Sequence, residues 1–554
     1  MRLSPRSNYF SFCVEQISAR NVYFSDVTND ELQQELTRVV AECTRLRDEN
    51  KLLTEHATQQ QQEIDEQLHR IKQLLRQIFG RRSERSDPAQ LELAFLEATG
   101  QPLEPIDPEL TALASEAPDD EETNETKRAR RQGGGRRRLP EHLPLVERHF
   151  YPIDTDCCGA PMQEAGVEST EVLHFEPSSY LRLRTYTHKR ACAVNNHRVV
   201  RATAPEVAFP GTSVTPALVA GIITGKFADH LPGNRQIEIA ARQGVELSKA
   251  TMCGWQAAGA DALRPIVAEI KRGILTSPYV HVDDTGLTIQ DKAAPGGSRK
   301  GYIWSYRGEH KDVIYEYSRR RQREAPLGVL RTYRGFVVAD AYNGFDGLFG
   351  PTSGRVEVAC FAHTRRKFHE AIATTPHAVT ATAYILQLYR VEAAVKHATP
   401  EVRLAARQRH SVPIIERFKK WLDEQLKTAL PKGPLAKAIR YALNQWEALK
   451  VYLTDGRLPI DNNPAERDLR RVAVGRKNWM FAGSDEGARR AALFYSLIQT
   501  CKLNDVNPFE YLRDVLSRVG TTPQARMHEL TPRAWKAARA AEAIAVTASV
   551  VVSA

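Results

Sequence analysis

Apolar positions near the start of the chain fall on a seven-residue ladder. Leu36, Cys43, Asn50, Ala57, Ile64, Ile71 and Ile78 recur at one phase, and Val39, Leu46, Leu53, Gln60, Gln67 and Leu74 interleave as a second seam. Two seams at this spacing share one side of a long helix, which predicts a coiled coil over 30–79 and self-association through it. Its middle is polar: Asn50 favours a parallel register at a cost in stability, and Gln60 and Gln67 weaken the second seam. The competing reading is a long helix laid on its own chain. Gly80 should end the helix, and residues 1–29 form an extension without the continuous apolar core of a signal peptide.

Beyond the ladder the pattern changes character. An acidic run, Asp119-Asp120-Glu121-Glu122, precedes Lys127-Arg128-Ala129-Arg130-Arg131 and then Gly133-Gly134-Gly135-Arg136-Arg137-Arg138. Opposite charge blocks around three glycines predict a charged linker over 80–140. A small β module follows at 141–205. Helical patterns at 215–225 and 234–242, a turn at Gly244 and a third helix beginning in 247–255 under a Ser248 cap predict a helix-turn-helix region over 206–275. The start of that third helix would face the major groove, making Ser248, Lys249 and Thr251 candidate readers.

From 276 to 500 the pattern is strand-rich, then helical. Runs at 279–283, 302–306, 313–317, 336–340 and 356–360 are full of β-branched and aromatic residues and predict five strands. Helical stretches at 380–398, 413–430 and 435–453 predict a helical insertion over about 365–458. A C-terminal helical region spans 501–540. The apolar tail 541–554 is too short to cross a bilayer and reads as a frayed end.

Composition adds less. With 554 residues, 42% of them hydrophobic, the chain can furnish several cores. A formal charge of +10 suits a polyanionic partner, although charge alone fits an ordinary basic protein equally well. Eight scattered cysteines, adjacent only at Cys157 and Cys158, make no disulfide framework and fit a reducing cytoplasm. No phosphate loop of the Gly-x-x-x-x-Gly-Lys-Ser/Thr kind occurs, so ATP use is not implied.

Candidate chemistry lies in three carboxylates. Two apolar strands close on Asp283 and Asp340. The run Asp461-Asn462-Asn463-Pro464-Ala465-Glu466-Arg467 then sets Glu466 at the start of a helix rich in cations at Arg470, Arg471, Arg476 and Lys477. Hard divalent cations take oxygen ligands, which is what phosphodiester chemistry needs. Asp461, Asn462 and Asn463 are expected to cap that helix. Trp479 could stack on a base or fill a core.

These motifs, with Val282-Asp283-Asp284-Thr285, Gly301-Tyr302-Ile303-Trp304, Ala339-Asp340-Ala341-Tyr342, Cys360-Phe361-Ala362-His363-Thr364-Arg365-Arg366-Lys367-Phe368 and Gly475-Arg476-Lys477-Asn478-Trp479, resemble the DDE transposases of the insertion sequence 66 family. The resemblance runs from about Leu32 to about Trp535. It implies a multidomain α+β protein: an N-terminal coiled coil, a small β module like a degenerate zinc finger, a helix-turn-helix, and an RNase H-like α/β core with a helical insertion. It implies DNA cleavage and strand transfer with two Mg2+ or Mn2+ ions, Asp283 ligating or bridging both, Asp340 one and Glu466 the other. It places His363, Arg365, Arg366, Lys367, Arg467, Arg476 and Lys477 against DNA, and Asp284 where the family usually has glutamate. Its partners are double-stranded DNA at the element ends and target, with accessory proteins of the element; its site is the cytoplasm, with no membrane.

The family's small module carries two Cys-x-x-Cys knuckles, but aligning them on Cys158 and Cys192 puts Thr155 and Asn195 at the second ligand positions. No structural zinc is therefore expected, although Cys157, His188 or His197 could substitute. Two rival classes stay open: a transposase-derived protein, repressor-like or decayed, that binds DNA without catalysis, and a metal-dependent nuclease that does not join strands.

Overall fold

The computed structural model describes residues 29–79, 88–100 and 214–552, apart from 341–342 and 351, together with Pro102, Tyr180 and four short strands between 156 and 201. The ladder forms one helix, α1 (Asn29–Phe79). Among the described side chains, the large apolar residues of its seams as far as Ile71 are uncovered: exposure runs from 47% at Leu46 to 66% at Leu36.

The stretch read as a linker contains a helix, α2 (Pro88–Thr99). Its apolar run is too short to display a period, and tertiary packing decides it: Phe95 is buried edge-on against Tyr384, ring centroids 5.6 Å apart, and Glu92 pairs with Arg390. In the small module, β1 (Asp156–Cys157) pairs antiparallel with β2 (Ala160–Pro161), and β3 (Lys189–Ala191) with β4 (Val199–Arg201). Cys158, Cys192 and the other proposed knuckle positions apart from Cys157 lie outside the described residues.

Three helices then follow, α3 (Pro216–Phe227), α4 (Gly233–Arg242) and α5 (Lys249–Leu275). Gly244 makes the turn at φ 75°, a left-handed conformation that glycine adopts without penalty. The second half of α5 is a core helix: Leu263, Ile266, Ile270 and Ile274 are buried.

The sheet has the order β7-β6-β5-β8-β9, built from β5 (Tyr279–Gln290), β6 (Ser298–Arg307), β7 (Val313–Ser318), β8 (Gly335–Ala339) and β9 (Arg355–Ala359). β5, β6 and β7 are antiparallel neighbours, whereas β8 and β9 run parallel to β5. The parallel pair requires a crossover, supplied by α6 (Glu324–Leu330) between β7 and β8. β8 starts at Gly335, where a Cβ would stand 2.9 Å from Pro278 O and 2.7 Å from the Tyr333 hydroxyl. All five expected strands are present, but β5 continues past Asp283 to Gln290. Its pairing with β6 persists as far as Gln290↔Ser298, so Asp283 lies mid-strand instead of at a strand end.

Two apolar cores flank the sheet. One gathers α3, α5 and the sheet with α13 (Asn463–Trp479), α14 (Asp485–Leu503) and α15 (Pro508–Arg518). The other lies under β8 and β9 and is built by α7 (Phe361–Ile372), α8 (Ala378–Ala394), α9 (Pro400–Ala406), α10 (Val412–Thr428), α11 (Pro434–Asn444) and α12 (Trp446–Lys450). The helix expected over 435–453 breaks at Gln445, whose ψ of 12° leaves the helical range. The last helix, α16 (Pro532–Val552), continues through most of the tail read as frayed. Among the described residues no helix is long and apolar enough to cross a membrane.

Candidate carboxylate site

Strand register brings the first two carboxylates together. The parallel ladder pairs Tyr279 with Phe336, Val280 with Val337 and His281 with Val338; the same offset carried two residues on sets Asp283 level with Asp340, the first residue beyond β8. Side chains alternate along a strand, so His281, Asp283 and Thr285 share one face of β5. α13 lies across that face. At its head Asn462 donates from Nδ2 to Val282 O (2.9 Å) and bonds His281 Nδ1 through Oδ1 (2.9 Å). Near its far end Arg476 bonds Thr285 Oγ1 (2.9 Å) and Gly286 O. Glu466, in the first turn, is thereby carried to Asp283.

The electrostatics record this convergence. The Asp283 carboxyl is pushed up to about 7, first by burial and then by the like charges of Asp340, Asp284 and Glu466; the Asp284 N–H, donated to Asp283 Oδ1 at 2.8 Å, opposes the shift. Glu466 Oε1 is buried without a hydrogen bond. His363 Nε2 stands 3.4 Å from it, and Arg366 Nη2 stands 3.5 Å from Oε2. Among the described residues no group of three or more acidic, histidine or cysteine side chains is spaced to hold a metal ion as it stands. The donor set nevertheless suits a hard cation: oxygen ligands only, mutually repelling, with one buried oxygen lacking a donor.

Asp284 is differently employed. On the opposite face of β5, it accepts from Arg321 Nε at 2.8 and 3.0 Å, and Arg321 Nη2 also lies 2.8 Å from it. Burial raises its pKa and Arg321 holds it down.

Three anchors fix the rotation of α13. Asn462 is fully buried and also donates its backbone N–H to Cys360 Sγ at 3.1 Å. Buried Asp468 accepts from Arg307 (3.1 and 3.2 Å) and Gln499 (2.8 Å). Arg476 is the third. Gly475 allows the close approach of Tyr495, whose hydroxyl would stand 2.3 Å from an added Cβ.

Several expected roles change on this frame. Asn462 occupies the N-cap position but makes no side-chain cap, because its amide is committed to β5. Asp461 binds Tyr389 OH (2.8 Å) and Asn463 N (3.1 Å). Arg476, expected on DNA, spends hydrogen bonds on β5, and Trp479 packs against the core. Arg366, also expected on DNA, faces Glu466. Lys367 stands over the Tyr441 ring at 5.9 Å, on the insertion. Arg365 is half-buried, whereas Arg467 and Lys477 are exposed. The importance of Asn462 and His281 was missed; the signals were a histidine two residues before Asp283, hence on its face, and more polar groups in Asp461-Asn462-Asn463 than a cap needs.

At the head of α5, Ser248 Oγ accepts from Thr251 N (3.0 Å) and shares a hydrogen bond with Thr251 Oγ1 (2.8 Å). The cap expected there is present. It engages both hydroxyls, leaving Lys249 as the exposed member without that duty.

Comparison with known proteins gives three family matches. A model described as "Transposase IS66 family" matches residues 211–490, "IS66 C-terminal element" matches 496–533, and "Transposase C of IS166 homeodomain" matches 66–148, upstream of the helical region around Lys249. Three Sinorhizobium fredii (strain NBRC 101917 / NGR234) proteins are similar along most of their length. Uncharacterized protein y4hP is 32% identical over 503 residues, covering 85% of this chain and 89% of its own. For y4jD the figures are 30% over 505 residues, 85% and 98%, and for y4qI 31% over 491 residues, 84% and 88%.

Proposed function

This chain belongs to the IS66 family of transposases, and on that premise we propose that Asp283, Asp340 and Glu466 are the catalytic carboxylates of a DDE enzyme that cuts DNA at the ends of an insertion sequence and joins the freed strand to a target. The observation that carries the reading is the register that sets Asp283 beside Asp340 under the helix of Glu466. The sheet order, with three antiparallel strands followed by two parallel ones, supports an RNase H-like core.

Magnesium or manganese, bound as a pair, would lower the pKa of the attacking water or 3′-hydroxyl and stabilise the leaving oxygen. Asp283 and Asp340 would hold such ions from the sheet and Glu466 from the helix. Asn462 keeps the helix at its distance from β5, and Arg321 keeps Asp284 away from the ligand set. Arg366 would offset the charge of Glu466 until a metal engages it, with His363 beside the same carboxylate. In the joining step the 3′-oxygen attacks phosphorus, a new phosphodiester forms, the target P–O3′ bond breaks, and the departing 3′-oxygen takes up a proton.

DNA is the partner that family membership implies. Lys249 at the head of α5 would contact the element ends, with Arg467 beside Glu466 and Lys477 farther along α13 holding backbone phosphates. Self-association would run through α1, and the compartment would be the cytoplasm. A labelled duplex carrying the terminal repeat that flanks the gene tests the proposal. Joined product identifies a transposase, cut product alone a nuclease, and binding without either a protein that has lost catalysis.

A further inference from the structure

Outside α1 and α2, the large apolar side chains left exposed include Val474, Met480 and Phe481, all on or just beyond α13. Met480 is 66% exposed and Phe481 37%, between two neighbours that turn inward: Trp479 packs on the core and Ala482 is buried. The backbone is forced into this arrangement. Met480 has φ 57° and ψ −41°, and the Phe481 N–H donates to Trp479 O at 2.7 Å, a tight γ-turn of the rare positive-φ kind. The turn is pinned on both sides: Met480 N–H donates to Arg476 O (2.8 Å), while Ala482 exchanges hydrogen bonds with Thr288 O and Gln290 N (both 2.9 Å) at the end of β5. A bulky residue held at positive φ with its side chain in solvent is strain spent on display.

What covers this tip is indicated by the charge leading to it. Arg467, Arg470, Val474 and Lys477 succeed one another at helical spacing along the exposed edge of α13, starting beside Glu466. Arg470 and Lys477 make no ion pair among the described residues, so their charge is uncommitted. A row of cations ending in two apolar side chains matches a DNA backbone that leads to a base step. From Glu466 to Met480 the helix rises roughly 20 Å, the length of about six base pairs.

We propose that this edge of α13 tracks the DNA backbone and that Met480 and Phe481 press into the base stack, opening one step about six base pairs from the carboxylates. The inference rests on the transposase reading and adds to it a specific site of DNA distortion. Duplex geometry gives such a wedge two functions: it fixes the register of the cut, and it bends the DNA around the helix.

The test uses the full-length protein and the terminal-repeat duplex with single 2-aminopurine substitutions across this interval, in chelator. The expected result is a rise in fluorescence at one step with wild type. It is lost in the double variant Met480→Ser, Phe481→Ser and kept in Phe481→Leu. Lys477→Gln should instead flatten the salt dependence of binding by about one unit. Cleavage by wild type on the same duplex with magnesium is read separately, so the premise and the wedge fail independently. A wild-type protein that binds and cuts without any fluorescence rise overturns the wedge. So does a double variant that keeps the rise, or one that changes sedimentation alone, which would make the tip a protein interface.

Discussion

His281 Nδ1 and Asn462 Oδ1 meet at 2.9 Å in the buried joint between the strand that carries Asp283 and the helix that carries Glu466. The other end of the same amide donates to Val282 O, so one side chain sets the spacing of two elements. With the oxygen accepting, His281 must donate from Nδ1, a tautomer assigned from this network. Asn462→Ala would strand a buried N–H and a buried carbonyl at about 1–3 kcal/mol each. The expected loss is about 2–6 kcal/mol of stability, with a higher metal requirement for cleavage. Denaturant unfolding and a metal titration check this. Asn462→Asp should not rescue it, since a carboxylate cannot donate to Val282 O.

The same histidine predicts an acid limb. Burial lowers its pKa to about 4 from an ordinary 6.5. A proton therefore binds the unfolded chain more readily, and stability is lost as pH falls from 6.5 through 4. His281→Asn should flatten that slope in thermal melts; an unchanged slope would show that other groups dominate it.

Asp283 gives the opposite slope. Its carboxyl is raised from 3.8 to about 7, so the metal-free fold binds a proton more tightly than the unfolded chain. Stability is present in full below 3.8 and is lost as pH rises through 7. In chelator, Asp283→Asn should be more stable than wild type at pH 8, by on the order of 2 kcal/mol, with the gap closing towards pH 4. Magnesium should narrow the gap by stabilising wild type only. A variant less stable than wild type at pH 8 would contradict this account of the site.

Exposed seams on α1 make a prediction about assembly. Leu46→Glu with Leu53→Glu in the full-length protein should shift sedimentation towards the monomer, because both residues leave about half or more of their surface uncovered in the single chain. An unchanged species would place self-association elsewhere.

Much of this was legible in the sequence, for physical reasons. The five strands were readable because β-branched runs such as 279–283 and 336–340 bury both sides, and Ser248 because a cap needs a short polar side chain at one position. Asp283, Asp340 and Glu466 were singled out as candidates from motifs. Their convergence depends on the parallel register of β5 with β8, which no local pattern encodes. α2 escaped because its packing partner, Tyr384, lies far away in sequence. The extension of β5 escaped because Gly286 and Thr288 lack the apolar signal that marks its first half. The commitments of Asn462, Arg366 and Arg476 escaped because a polar side chain's partner is a tertiary fact.

The central claim is that three carboxylates from two strands and a helix act as one unit. Its most direct test is strand cleavage and joining by Asp340→Asn and Glu466→Gln on a labelled terminal-repeat duplex with magnesium or manganese. Losing one carboxylate should cost on the order of a thousandfold in rate, roughly 4 kcal/mol, in both cleavage and joining, while binding of the duplex persists. Near wild-type cleavage by either variant would contradict the account.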